Sequence, residues 1–136
     1  MSESNPYEGV VVLVIEDMAS VRKLIKSMLI QIGIRTVFEA GDGKAGLDEA
    51  LKWRPTLILC DVHMEPVDGR QFLSNLRVLD DRKIARTPVI FLTSDSNRDT
   101  VTFAKENQVA GYLVKPVSIV NLRARVDAVL KGLAMR

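Results

Sequence analysis

Residues 10–17 read Val-Val-Val-Leu-Val-Ile-Glu-Asp, and the fold follows from this stretch. Val10–Ile15 is the longest unbroken apolar run in the chain and is mostly β-branched. An apolar run without polar alternation predicts a strand buried on both faces, as strands of a parallel sheet are. Glu16 and Asp17 then place two acids at the carboxyl end of that strand.

Working outward, Met18, Val21, Leu24, Ile25, Met28, Leu29 and Ile32 recur at helical spacing, and Gly33 reads as the stop. Arg35–Glu39 is a weaker second strand, and Gly41-Asp42-Gly43 is a turn. Lys44–Trp53 fits a helix closed by Pro55, and the uncharged Thr56–Cys60 a third buried strand ending at Asp61. Phe72, Leu73, Leu76 and Leu79 mark a third helix, and Pro88–Thr93 a fourth strand. Asp99–Asn107 is a short polar helix, Tyr112–Val114 a brief fifth strand, and Ile119, Leu122, Val126, Val129, Leu130 and Leu133 the stripe of a last helix. Strands alternating with helices predict an α/β fold: a doubly wound, flavodoxin-like, five-stranded parallel sheet, (βα)5, with strand order 2-1-3-4-5.

Composition bounds the function. The chain has 136 residues, one domain's worth, with 47% apolar and 26% charged residues. Disorder is excluded for most of it. A net charge of +2 argues against nucleic acid or an anionic membrane as partner. No apolar run approaches the roughly twenty residues of a membrane span. The single cysteine, Cys60, excludes an intrachain disulfide and a cysteine zinc cluster. The polar start carries no secretory signal, so a cytoplasmic protein is expected. Residues 1–8 read as a loose tail, 9–136 as the domain, with no output domain attached.

In such a sheet ligands sit outside the carboxyl ends of the strands. Glu16 and Asp17 follow strand one, Asp61 strand three and Lys115-Pro116 strand five, while Thr93 ends strand four. Three crowded carboxylates repel unless a cation joins them. Oxygen donors suit a hard cation such as Mg²⁺, which keeps several waters. A cation, a Lys and a hydroxyl together are fitted to a phosphoryl group, and a carboxylate can take that group covalently.

These residues carry a resemblance. Glu16-Asp17, Asp61-Val62-His63-Met64-Glu65-Pro66-Val67-Asp68-Gly69, Thr93-Ser94 and Lys115-Pro116, in order and each at the end of its own strand, resemble the receiver domain of two-component response regulators. The resemblance is to the single-domain, CheY-like kind and covers about residues 9–133. It implies Asp61 as the phosphorylated aspartate and Glu16, Asp17, Asp61 and the His63 carbonyl as the Mg²⁺ (or Mn²⁺) site. It implies Thr93 and Lys115 as the phosphoryl contacts, Tyr112 as a switching aromatic, and a cis bond before Pro116. It further implies a sensor histidine kinase or histidine phosphotransfer protein as donor and a downstream target protein. The domain would catalyse its own phosphorylation and later hydrolysis without being a turnover enzyme, as a monomer or a phosphorylation-dependent dimer.

The sequence departs from the family in two places. Glu65 stands where a proline usually follows the methionine, with Pro66 next, and a local change of loop is expected. The acidic pair is Glu-Asp rather than Asp-Asp.

Each residue also has a plainer reading. Glu16 and Asp17 suit a helix cap and first turn, where acids are favoured anyway. Cys60 reads as a small buried hydrophobe, Trp53 as half-exposed, and Arg123, Arg125 and Lys131 as a solvated face. Gly41-Asp42-Gly43 lacks the spacing and Lys of a phosphate loop. His63 and Asp95 are expected to flank the path of the attacking water and tune dephosphorylation. The rival functions are a relay intermediate that passes the phosphoryl group to another histidine, an interaction module that is never phosphorylated, and a flavin-type cofactor binder. The intact Asp17, Asp61, Thr93 and Lys115 speak against the second, and the lack of a phosphate loop after Ile15 against the third.

Overall fold

The computed structural model describes residues 4–94, 102–103, 105–106 and 109–134. Five strands, β1 (Val11–Ile15), β2 (Thr36–Ala40), β3 (Leu57–Asp61), β4 (Val89–Thr93) and β5 (Gly111–Val114), form one sheet in the order β2-β1-β3-β4-β5. Every neighbouring pair is parallel. Parallel strands need long crossovers; α1 (Ala19–Ile32), α2 (Gly43–Trp53) and α3 (Gly69–Arg77) with a single turn α4 (Arg82–Ala85) supply three of them, and α5 (Ile119–Ala134) follows the last strand.

Residue parity sorts the core into two layers. Leu13, Ile15, Ile58, Cys60, Val89 and Phe91 face one way, onto Ala50 of α2 and Phe72, Leu73 and Leu76 of α3. Val12, Val14, Leu57, Leu59, Ile90 and Leu92 face the other way, onto Ile25 and Leu29 of α1 and Leu122, Val126 and Val129 of α5. The central strands are therefore apolar on both faces up to the polar residues that end β3 and β4, as their sequences predict.

Local chemistry sets the helix ends. The Asp42, Asp68 and Asp81 side chains accept the Ala45, Gln71 and Ile84 N–H groups and so cap α2, α3 and α4. Gly33 closes α1 at φ 119°, a left-handed conformation that favours glycine. Gly43 and Gly46 have no room for a side chain: a Cβ on Gly43 would meet Val67, and one on Gly46 would meet Ile15. The Gly41-Asp42-Gly43 turn is thus a capped helix start, as expected.

Several expectations shift. β2 and β3 each run one residue later than expected, because Ala40 pairs with Ile15 and Asp61 with Leu92. The turn α4 has no counterpart in the sequence reading. The expected helix at Asp99–Asn107 falls mostly outside the described residues; Thr102, Phe103, Lys105 and Glu106 are helical. Residues 5–8, expected as part of a loose tail, are held in place. Tyr7 is 4% exposed and packs into the α1/α5 layer. Its hydroxyl donates to Asp127 at 2.7 Å, and the Asn5 side-chain amide donates to the Gly33 carbonyl at 2.9 Å. Burial of one ring offsets the polarity of its neighbours. No helix among the described residues is long and apolar enough to cross a membrane.

Candidate functional site

The sheet carries Glu16, Asp61, Thr93 and Lys115 to its carboxyl edge. Asp61 and Thr93 are the last residues of β3 and β4; Glu16 and Lys115 directly follow β1 and β5. Glu16, Asp61 and Thr93 are buried, Lys115 is half-buried and Asp17 is exposed. Charge sits in this interior only because it is paired. The Lys115 Nζ lies 2.7 Å from Glu16 Oε2 and 3.2 Å from Asp61 Oδ2. The first is the shorter of the two contacts and the principal partner of the buried Glu16 Oε2. Glu16 Oε1 accepts the Met18 N–H at 3.3 Å, and Asp61 Oδ1 the His63 N–H at 3.4 Å.

The electrostatics follow from this crowding. Burial pushes the Glu16 carboxyl above its ordinary value, and the Asp61 charge adds to that, against the pull of Lys115. Burial alone would lower the Lys115 ammonium, but Glu16 and Asp61 outweigh it and the net shift is upward. Glu16, Asp17 and Asp61 can bring one oxygen each within 4.8 Å of one another. Three carboxylates gather around one ammonium that contacts only two of them, Glu16 and Asp61. This all-oxygen set has the chemistry and the surplus negative charge to hold a hard divalent cation.

The backbone around the edge is rigidly set. The Lys115 N–H donates to the Thr93 carbonyl at 2.7 Å. The Lys115–Pro116 bond is cis, as the resemblance implies, and Glu65–Pro66 is cis as well, which the sequence reading did not foresee. The Asp61–Gly69 loop otherwise keeps its function in the fold, since Asp68 caps α3. The Glu16 N–H donates to the Ala40 carbonyl at 3.0 Å, and Arg22 Nη1 donates to the Glu16 carbonyl at 2.7 Å. Arg22 in turn pairs with Glu39 at 3.1 Å. Neither Arg22 nor Glu39 was picked out from the sequence, although a lone acid within an otherwise uncharged strand is a signal of the kind that finds such a residue.

The remaining candidates are distributed as follows. The exposed His63 lines an open cleft of about 450 Å³ with Asp17, Met64, Glu65 and Asp68. Asp95, its expected companion, lies outside the described residues. Tyr112 is half-buried on β5, in register with Phe91 and two residues short of the level of Thr93. The helix-cap reading of Glu16 and Asp17 is not what is seen, because Met18 holds the N-cap of α1 and no side chain caps it. Cys60 is fully buried, which drives its thiol well above its ordinary pKa, and its Sγ–H donates to the Asp61 carbonyl at 3.3 Å. It is the small buried hydrophobe expected.

Comparison with known proteins gives a consistent picture. The family model described as "Response regulator receiver domain" matches residues 12–127. The chain is 27% identical over 122 residues to the chemotaxis protein CheY-3 of Vibrio cholerae serotype O1, covering 90% of this chain and 92% of that protein. It is 38% identical over 116 residues to the transcriptional regulatory protein PdtaR of Mycobacterium tuberculosis, covering 85% of this chain but only 54% of that protein. Among solved structures, chemotaxis protein CheY4 of Vibrio cholerae superposes with a TM-score of 0.81 at 28% identity, over 88% of this chain and 98% of the other.

Proposed function

Because the chain belongs to the response regulator receiver domain family, we propose that it is a phosphorylation-activated switch of a two-component system, with Asp61 as phosphoacceptor. The observation that carries this reading is the Lys115 ammonium held between Glu16 and Asp61, at 2.7 and 3.2 Å, with Asp17 within reach. It supports the reading because the lysine neutralises charge at the place where a phosphoryl group would arrive.

In the reaction, an Asp61 carboxylate oxygen attacks the phosphorus of a phosphohistidine. The O–P bond forms as the N–P bond breaks, and the imidazole leaves with the electron pair and takes up a proton. Glu16, Asp17 and Asp61, with the His63 carbonyl, would hold Mg²⁺ or Mn²⁺, which when bound neutralises charge on the phosphoryl oxygens. Lys115 turns from the carboxylates to a phosphoryl oxygen, and the Thr93 hydroxyl donates to another. Water later cleaves the acyl phosphate, which returns the carboxylate and inorganic phosphate; the exposed His63, at the cleft beside Asp17, would tune that step. Withdrawal of Thr93 toward the phosphoryl group makes room for Tyr112 to turn inward, remodelling the face around β5 and α5. A full swing between off and on takes about 5.5 kcal/mol of differential interaction. The donor is a sensor histidine kinase or phosphotransfer protein, and the output is binding of a partner protein.

The test is intact mass after incubation with acetyl phosphate, with and without Mg²⁺, beside Asp61→Asn. A Mg²⁺-dependent gain of one phosphoryl group, absent in the variant, is expected. No gain either from acetyl phosphate or from a phosphorylated histidine kinase, together with no Mg²⁺ binding by calorimetry, would overturn the reading in favour of an unphosphorylated interaction module.

A further inference from the structure

We infer that Arg22 and Glu39 are positioning residues for the acidic edge: Glu39 fixes the Arg22 guanidinium, and Arg22 fixes the peptide that joins Glu16 to Asp17. The inference rests on the reading of Glu16, Asp17 and Asp61 as a divalent-cation site.

The Glu16–Asp17 peptide lies after β1 and before α1, so no strand or helix ladder holds its carbonyl. It must set the direction of two acids at once, one buried and one exposed. The end of β2 supplies the missing constraint twice. Ala40 takes the Glu16 N–H directly, at 3.0 Å. Glu39, one residue earlier, acts through a side chain: its Oε1 accepts from Arg22 Nε at 3.1 Å, and Arg22 Nη1 reaches the Glu16 carbonyl at 2.7 Å. The planar fork of an arginine makes both contacts with one rigid group, which a lysine lacks. The Lys26 ammonium, 3.5 Å from Glu39 Oε2, steadies the acid from its other side.

The arrangement is also selective about charge. Lys115 contacts two of the three carboxylates, whereas Arg22 contacts a neutral carbonyl. Arg22 therefore orients the acids without occupying their oxygens. The side chains of Arg22 and Glu39 are only 18% and 22% exposed, so water screens the pair less than a surface ion pair. A pair serving stability alone would need no contact with Glu16.

The test compares Mg²⁺ affinity by titration calorimetry in the wild type, Arg22→Met, Arg22→Lys, Glu39→Ala, Glu39→Gln and the Arg22→Met/Glu39→Ala double variant. The Asp17 amide resonance of each metal-free protein is recorded alongside. Arg22→Met and Glu39→Ala should each weaken Mg²⁺ binding by about tenfold, the usual cost of removing a group that orients a metal ligand. The double variant should be no worse than Arg22→Met, because Glu39 acts through Arg22. Arg22→Lys should fall with Arg22→Met, Glu39→Gln should recover part of the loss because it keeps an acceptor, and the Asp17 resonance should move without metal. Single-variant affinities within about twofold of a wild type that binds Mg²⁺, or losses that multiply in the double variant, would overturn the inference alone. A wild type that binds no Mg²⁺ and takes no phosphoryl group would overturn the functional reading with it.

Discussion

Gly69 lies directly against the Asp61 carbonyl: a side-chain carbon built on it would overlap that oxygen and stand 2.9 Å from the Val62 Cα. The Gly69 N–H donates to the Val62 carbonyl at 2.9 Å, so the first residue of α3 is bonded to the backbone beside the proposed phosphoacceptor. The obstacle to any side chain here is backbone, which cannot swing aside. Gly69→Ala must move α3 or the end of β3, at a cost of about 1–3 kcal/mol. Urea denaturation should show that loss, and acetyl phosphate labelling of Asp61 should slow. An unchanged midpoint with an unchanged labelling rate would contradict the steric argument.

Lys115→Met separates two effects of one ammonium. Lys115 neutralises Glu16 and Asp61, so it competes with any cation for their charge. Its removal should tighten Mg²⁺ binding by roughly fivefold, or about 1 kcal/mol, while phosphoryl labelling declines. Calorimetry and mass spectrometry give the two readouts. Weaker Mg²⁺ binding would mean that Lys115 gathers the carboxylates for the metal instead of competing with it.

The Glu39 pair should be visible in the acid limb of stability. Burial alone would raise the Glu39 carboxyl, but Arg22, Lys23 and Lys26 outweigh it and hold the group below its ordinary value. A depressed folded-state pKa contributes stability that is present above the unfolded value, near pH 4.3, and lost as pH falls through the folded value. Glu39→Gln should lower stability at pH 7 by about 0.5–1 kcal/mol and flatten the loss below roughly pH 4. Urea midpoints from pH 7 to pH 2 measure it; parallel curves for the two proteins would refute it.

Tyr7 makes the opposite case at high pH. Burial first, then the Asp127 hydrogen bond, raises its hydroxyl above the ordinary value. Its contribution is complete below the unfolded pKa, near 10, and lost as pH rises through the folded value. Tyr7→Phe should cost about 1 kcal/mol at pH 7 and remove that part of the alkaline loss. Tyr7→Ala, which empties a place in the core, should cost about 3–5 kcal/mol. Thermal unfolding across pH 7 to 11 tests both, and a Tyr7→Ala protein as stable as wild type would show that the N-terminal segment is not anchored.

The sheet was legible because burial on both faces leaves its mark on every residue of β1, β3 and β4. The acids at its edge were legible because they end or follow such runs, and the lysine because it follows the brief fifth strand. What escaped depends on partners far apart in sequence or on spans too short for a period. Arg22 and Glu39 lie 17 positions apart, and Tyr7 and Asp127 lie 120 apart. Helix α4 is four residues long, less than the repeat by which an amphipathic helix is recognised. Gly69 stood in the sequence only as the end of the Asp61–Gly69 stretch, and the need for glycine there shows only with the Asp61 and Val62 backbone in place.

The ring of Trp53 stacks on Phe38 with centroids 4.0 Å apart and planes 8° from parallel, and it is the only tryptophan in the chain. It closes α2, whose first residue, Gly43, packs on Val67 of the Asp61–Gly69 loop. The length of that helix, roughly 15 Å, lies between the indole and the end that faces the acidic edge. The tryptophan emission of this protein is therefore a gauge of whether β2 and α2 remain together, and not of what occupies the carboxylates. A titration followed by that light alone would record a silent protein even as its acidic edge filled.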